Sequence, residues 1–316
     1  MSRVAVASRS FSRHPVLRAE LLARYADVTF NDAGIALSGA RLIEFLKGHD
    51  KAITALEVLD ESVFAALPEL KVVGKYGVGL DMIDLNAMQR HGVKLGWTGG
   101  VNRRSVSELV ISCMIALLRH VPAASLEVRS GTFRQHVGRQ LSGRTVGIIG
   151  CGHIGKDLTP LLKAFGCRVL AHDIRDFPEF YAEHDVQPVD LETLLKESDI
   201  VTLHVPLNAT TLDMLTEQRL DLMPSHALLI NAARGGLVDE AALKARLMDG
   251  RLAGAAFDVF AVEPPEDSEL IALPNFLATP HIGGSSEEAV LAMGRSAIEG
   301  LDSAGDPVDV AGAVNV

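Results

Sequence analysis

Cysteine is scarce in this chain of 316 residues: Cys113, Cys151 and Cys167 are all there is, and none stands at C-x-x-C spacing from another. An odd count without a pairing motif argues against a disulfide framework. It predicts free thiols in a reducing cytoplasm. Metal-ligand patterns are missing as well. The 11 histidines are scattered and none forms H-E-x-x-H, so no metal is expected. No uninterrupted apolar stretch reaches the roughly 18–20 residues of a bilayer span, and no membrane partner is expected. The opening MSRVAVASRSFSRHP lacks the apolar centre of a secretory signal. Excess positive charge is missing too. The 30 Lys and Arg stand against 40 Asp and Glu, a formal net charge of −10. That argues against a general nucleic-acid binder, whose affinity comes from cations meeting phosphates. A small anionic ligand remains open, because a local site can be basic on an acidic protein.

What is present suits a packed globular protein: 48% of residues are apolar and only 22% charged. The length predicts two domains. RVAVAS reads as a strand and HPVLRAELLARYA as a helix. DKAITAL is a second strand, DESVFAALPEL a helix, LKVVGKYGVG a strand running into a glycine loop, and GVKLGWT another strand. Apolar runs alternating with amphipathic helices predict a parallel sheet with helical crossovers over residues 1–100. Ser105 and Glu108 have capping-box spacing, which predicts a helix starting after Ser105. The following LVISCMIALLRHV is too apolar to face water, and is predicted to be buried between domains or subunits.

Residues 147–155 read GIIGCGHIG, satisfying G-x-G-x-x-G with Gly150, Gly152 and Gly155. Alone the pattern is weak, but its context is complete. TVGIIG precedes it as a buried strand, HIGKDLTPLLKAFG follows as a helix closed by Gly166, and CRVLAHD is the next strand. Asp173 ends that strand 18 positions past Gly155. The first glycine permits the tight turn, the second lets backbone approach a pyrophosphate, and the third allows strand and helix to pack closely. The helix start favours phosphate charge. Asp173 would accept from the adenosine ribose hydroxyls and repel a 2′-phosphate, which predicts NAD over NADP. Four more strand-into-loop segments follow: SDIVTLHVPL, HALLINAARGG, LAGAAFDVF and NFLATPHIGG. Ligands of open α/β sheets bind outside such carboxyl ends.

Arg234, Glu263 and His281 stand at successive strand ends. Hydride transfer between a hydroxy acid and NAD needs a group that titrates near neutrality for the hydroxyl proton, and histidine suits. A neighbouring carboxylate orients the ring and favours its protonated form. Arginine grips a carboxylate through a fixed fork of donors. Taken singly, Arg234 reads as a surface cation, Glu263 as a solvated carboxylate before Pro264 and Pro265, and His281 as a loop cap. Their joint occurrence in a dinucleotide domain favours chemistry.

KYGVGLDMID, NRRSVSELV, VGIIGCGHIG, HVPL, LINAARGGLVDEAAL, GAAFDVFAVEPP and TPHIGG follow one another from about residue 70 to 285. In this order and spacing the chain resembles the D-isomer-specific 2-hydroxyacid dehydrogenases. The resemblance implies an α/β protein of two Rossmann-like or flavodoxin-like domains with parallel sheets, and an active site in the interdomain cleft. It implies a substrate-binding domain of residues 1–100 and 286–316, with SSEEAVLAMGRSAIEGLDSA as the returning helix, around an NAD-binding domain of residues 101–285. Arg234 would hold the substrate carboxylate and carbonyl, His281 would be the acid/base, and Glu263 its partner. NAD contacts would come from Gly150, Gly152, His153, Ile154, Gly155, Asp173, His204, Val205, Pro206, Ala232, Ala233, Arg234 and His281. Asp258 would face the nicotinamide amide, and Gly283 and Gly284 would close the site. Lys75, Val78 and Gly79 would serve the substrate, with Arg234 and His281. A homodimer through the nucleotide domains, burying the helix after Ser105, is implied as well.

NRRSVSEL and KYGVGLDMID resemble the phosphoglycerate dehydrogenase-like members most. Two departures matter. The C-terminal regulatory extension of many such members is absent, and TALEV, residues 54–58, stands where that subfamily usually has an arginine–serine pair. Glu57 there disfavours a phosphate. The substrate expectation therefore stays open: a small D-2-hydroxy acid or 2-oxo acid, phosphorylated or not, of 3-phosphoglycerate or hydroxypyruvate type. Two alternatives are a NAD(H)-sensing corepressor-like scaffold and a formate- or phosphite-type dehydrogenase. The scaffolds carry long flanking segments, and the formate enzymes pair their histidine with glutamine rather than glutamate.

Overall fold

The computed structural model describes residues 2–315, with side chains to residue 312. The chain divides into two α/β units, Met1–Asn102 with Glu287–Val316, and Arg103–Ser286.

The first unit holds β1 (Arg3–Val6), β2 (Asp27–Phe30), β3 (Lys51–Thr54), β4 (Val72–Lys75) and β5 (Lys94–Gly96). They form one parallel sheet in the order β2-β1-β3-β4-β5, the flavodoxin-like order. One face packs Phe11, Leu17, Leu21, Ile298 and Leu301 against Val4, Val6 and Ile53. The other buries Leu42, Leu46, Phe64, Leu67 and Met88 against Val73 and Leu95. The long helix Glu287–Ser303 lies on β4 and β5. A Cβ at Gly74 would sit 2.5 Å from the Ala297 carbonyl oxygen, and one at Gly96 would run into the Gly300 backbone. Those two glycines let helix and strands meet backbone to backbone.

The second unit holds β6 (Thr145–Ile149), β7 (Arg168–His172), β8 (Val186–Pro188), β9 (Ile200–Leu203), β10 (Leu228–Asn231), β11 (Gly254–Phe257) and β12 (Phe276–Ala278). Their order is β12-β11-β10-β9-β6-β7-β8, parallel throughout. Every residue of β9, β10 and β11 is buried, as in sheets covered on both faces. The chain leaves β6 toward β7 and β8, then returns to β9 on the other side. The switch point thus lies beside the glycine turn at the end of β6.

One expectation about the helix near Ser105 needs correction. The helix begins at Arg103, so Ser105 sits in its first turn and caps nothing. The Ser105 hydroxyl donates instead to the Gly283 carbonyl at 2.7 Å and accepts from the Ser286 N–H at 3.4 Å. A tertiary partner outcompetes the local box. One face of the helix, Val106, Val110, Met114 and Leu117, is buried within this unit's own core. They pack beside the helix His153–Ala164, β10 and β11.

Candidate active site

The glycine turn is built as its spacing requires. Gly150 has φ +95°, and a Cβ there would come within 2.6 Å of the His204 carbonyl oxygen. A Cβ at Gly155 would collide with the Gly150 carbonyl, whereas one at Gly152 would meet no atom within 4 Å. The outer glycines serve packing, and the middle one faces open space. Gly152 is also the N-cap of the helix His153–Ala164 and gives it no side-chain cap. The first-turn N–H groups therefore lack a capping acceptor and suit phosphate oxygens. Asp173 stands beside them, accepting from the Cys151 N–H at 2.6 Å and the Arg175 N–H at 2.9 Å. Open space at Gly152, an uncapped helix start and an anchored carboxylate together fit a dinucleotide.

His204 follows β9, with Val205 and Pro206 after it. Burial pushes its imidazole down to about 3, so the ring is neutral. Nε2 lies 3.0 Å from the Thr202 hydroxyl, and buried Nδ1 has no partner among the described residues.

Ala232, Ala233 and Arg234 leave the end of β10. The residue that shapes this loop is Asn231, which sequence reasoning missed. Fully buried, it donates through Nδ2 to the Arg234 carbonyl at 2.8 Å and accepts from the Ala233 N–H at 3.1 Å. Only its place between an apolar strand and a glycine pair hinted at this. The half-buried Arg234 guanidinium donates to the Ala233 carbonyl at 2.7 Å. A Cβ at Gly235 would run into the Phe260 backbone, so this loop is seated on the one after β11.

Glu263 and His281 come together. His281 Nδ1 and Glu263 Oε2 lie 2.9 Å apart, with side chains 53% and 40% exposed. Glu263 is itself fixed, since Oε1 accepts from the Phe260 N–H at 3.2 Å. His281 has φ +54°, a left-handed conformation rare outside glycine and a recurrent form of strain at functional sites. Asp258 holds that loop. Its Oδ1 accepts from the Thr279 hydroxyl at 2.6 Å and the Ile282 N–H at 2.8 Å, while Oδ2 accepts from the Gly283 N–H at 2.7 Å. Its backbone carbonyl takes the His281 N–H at 2.8 Å. A carboxylate offers about four acceptor positions, so Asp258 spends most of its capacity on the loop. Gly283 is buried against it, and Gly284 is half-buried.

Lys75, Val78 and Gly79 belong to the first unit, at and just past the end of β4. Lys75 is buried and donates to the Ala55 carbonyl. Glu57 turns back on its own loop, accepting the Ala55 N–H at 2.6 Å. The Val78 carbonyl accepts from the Trp97 indole at 3.1 Å.

The chain matches the model of the D-isomer specific 2-hydroxyacid dehydrogenase NAD-binding domain over residues 111–283. It is 37% identical over 242 residues to the hydroxypyruvate reductase of Thermotoga maritima, covering 75% of this chain and 78% of that one. Identity to the D-3-phosphoglycerate dehydrogenase of Archaeoglobus fulgidus is 37% over 261 residues, 82% of this chain but only 50% of the relative. Among solved structures, a D-2-hydroxyisocaproate dehydrogenase aligns with a TM-score of 0.82 at 26% identity, covering 96% of each chain.

Proposed function

The chain belongs to the D-isomer-specific 2-hydroxyacid dehydrogenases and is thus an NAD-dependent oxidoreductase, and from that premise we propose that Arg234, Glu263 and His281 carry out its chemistry on a small 2-oxo or D-2-hydroxy acid. The nicotinamide cofactor, when bound, supplies or accepts the hydride. Arg234 grips the substrate carboxylate and polarises the carbonyl oxygen through its fork of donors. His281 gives that oxygen a proton in reduction and takes it back in oxidation. Glu263 holds Nδ1, which leaves Nε2 to the substrate. The observation that carries this reading is the 2.9 Å contact between His281 and Glu263.

Asp173 selects NAD, His153 and Ile154 receive the pyrophosphate with the glycine turn, and Asp258 spends its remaining acceptor position on the nicotinamide amide. Residues 205–206 and 232–234 border the cofactor. Lys75, Val78 and Gly79 complete the substrate side. Glu57 disfavours a phosphate, so hydroxypyruvate and glyoxylate are the favoured oxo acids. The test is a panel of 2-oxo acids with NADH: hydroxypyruvate, phosphohydroxypyruvate, glyoxylate, pyruvate and branched acids. Turnover of an unphosphorylated member supports the proposal. Activity with none of them overturns it in favour of a NAD(H)-sensing scaffold.

A homodimer through the nucleotide domains is part of this proposal, covering the helix after Ser105 and the segment that follows it. The helix Val121–Arg129 buries none of its own residues, and Phe133 and Val137 beyond it are 89% and 95% exposed. Light scattering should show a dimer that Phe133→Glu weakens, and a monomeric parent would refute it. Three free, buried thiols suit a reducing compartment, and we assign the protein to the cytoplasm. No single helix among the described residues is long and apolar enough to cross a membrane.

A further inference from the structure

His153 is the first residue of the helix that follows the glycine turn. No hydrogen bond or ion pair reaches its imidazole from the described residues. The charged groups that act on it are both cations: Arg103, the first residue of the long apolar helix, and Lys156, one turn further along its own helix. His153 is exposed, and partial desolvation together with these two cations holds the imidazole below the ordinary histidine range. The carboxylates of the neighbourhood are committed elsewhere. Asp157 takes Arg104 at 3.0 and 3.1 Å and stands 3.8 Å from Arg103. Asp173 takes the Cys151 and Arg175 N–H groups. The Lys156 ammonium lies 3.5 Å above the Phe177 ring rather than against an anion. The helix start adds partial positive charge of its own. This setting disfavours the charged form of the imidazole, and an arriving anion would favour it.

We propose that His153 takes up a proton when the pyrophosphate of the dinucleotide binds, so that the protein holds NAD(H) more tightly as pH falls. The inference rests on the NAD reading above and adds a proton to it. A dianion at the uncapped helix start reverses the local sign of the potential, and the neutral ring becomes a charged donor to a phosphate oxygen. Linkage then requires the dissociation constant to drop with pH, by at most about tenfold per unit for one proton. His204, titrating at about 3, lies outside the physiological window.

The test is calorimetric binding of NADH, ADP-ribose and adenosine between pH 6 and 8, each in two buffers of different ionisation heat. ADP-ribose carries the pyrophosphate without the nicotinamide, so it leaves His281 out of the comparison. NADH and ADP-ribose should bind roughly three- to tenfold tighter at pH 6 than at pH 8 with net proton uptake, and adenosine should show neither effect. His153→Gln should still bind NADH but lose the pH dependence. His153→Arg should bind tightly at both pH values. A pH-flat parent without proton uptake, or full linkage in His153→Gln, overturns the inference. Absence of NADH binding at every pH would instead overturn the cofactor reading.

Discussion

Asp258 Oδ2 accepts the Gly283 N–H at 2.7 Å, and this bond lets the end of β11 shape the loop that carries His281. With the Thr279 and Ile282 donors held by Oδ1, the carboxylate acts as a template for a left-handed backbone at His281. Asp258→Ala leaves three donors without their acceptor, each loss worth about 1–3 kcal/mol if the group stays buried. The expected result is a clearly lower Tm together with kcat reduced by roughly 100-fold, the scale of a 1 Å misplacement. An unchanged kcat would mean that the loop holds His281 without Asp258.

Removing the acid/base itself should act differently. His281→Ala is expected to lower kcat by about 10²–10⁴-fold while NADH still binds, as read by fluorescence titration beside steady-state rates. Glu263→Gln keeps the shape of the pair but removes its charge. Reduction, which takes a proton from a ring that Glu263 orients, should then show a lower kcat while NADH still binds. An unchanged kcat would separate Glu263 from the mechanism.

Asp173 serves two purposes, since its oxygens are held by the Cys151 and Arg175 N–H groups on the rim of the glycine turn. Asp173→Ala should therefore weaken NADH binding and, with its charge gone, narrow the preference over NADPH. The ratio of kcat/KM values for the two cofactors measures it. Strict discrimination retained by the variant would assign selectivity to another residue.

His204 makes the second unit acid-sensitive. Its folded-state value of about 3 lies below the ordinary 6.5. Between those values the unfolded chain binds a proton that the folded chain refuses. Its contribution is intact above about pH 6.5 and is lost as pH falls toward 3, at up to about 1.4 kcal/mol per pH unit. Urea titrations from pH 7 to 4 should show this slope, and His204→Asn should flatten it by one proton. An unaltered slope in the variant would assign the acid sensitivity elsewhere.

Much of the fold was legible because the signals were local and repeated. The apolar runs that became β6, β7, β9, β10 and β11 are buried on both faces and need no partner to be recognised. The glycine turn carried its own context. What escaped was decided by distant partners. The short edge strands DVTF and VQP have little apolar pattern, and form because β1 and β7 offer a free ladder. Ser105 matched a cap by spacing but bonds to residues more than 170 positions away. Asn231 looks like any polar strand end until its loop folds around it. At the site, the family resemblance named Glu263 and His281 as a pair, but their meeting depends on the loop that Asp258 builds.

The close seat of the helix Glu287–Ser303 on Gly74 and Gly96 has a consequence for biogenesis. While the chain emerges from the ribosome, the first sheet waits with β4 and β5 uncovered on one side until residue 303 has been delivered, whereas the nucleotide unit between can close as soon as β12, its seventh strand, exists. A nascent chain stalled between those two points would hold a finished middle and an unfinished beginning, and its bare apolar sheet would be the surface that chaperones meet first.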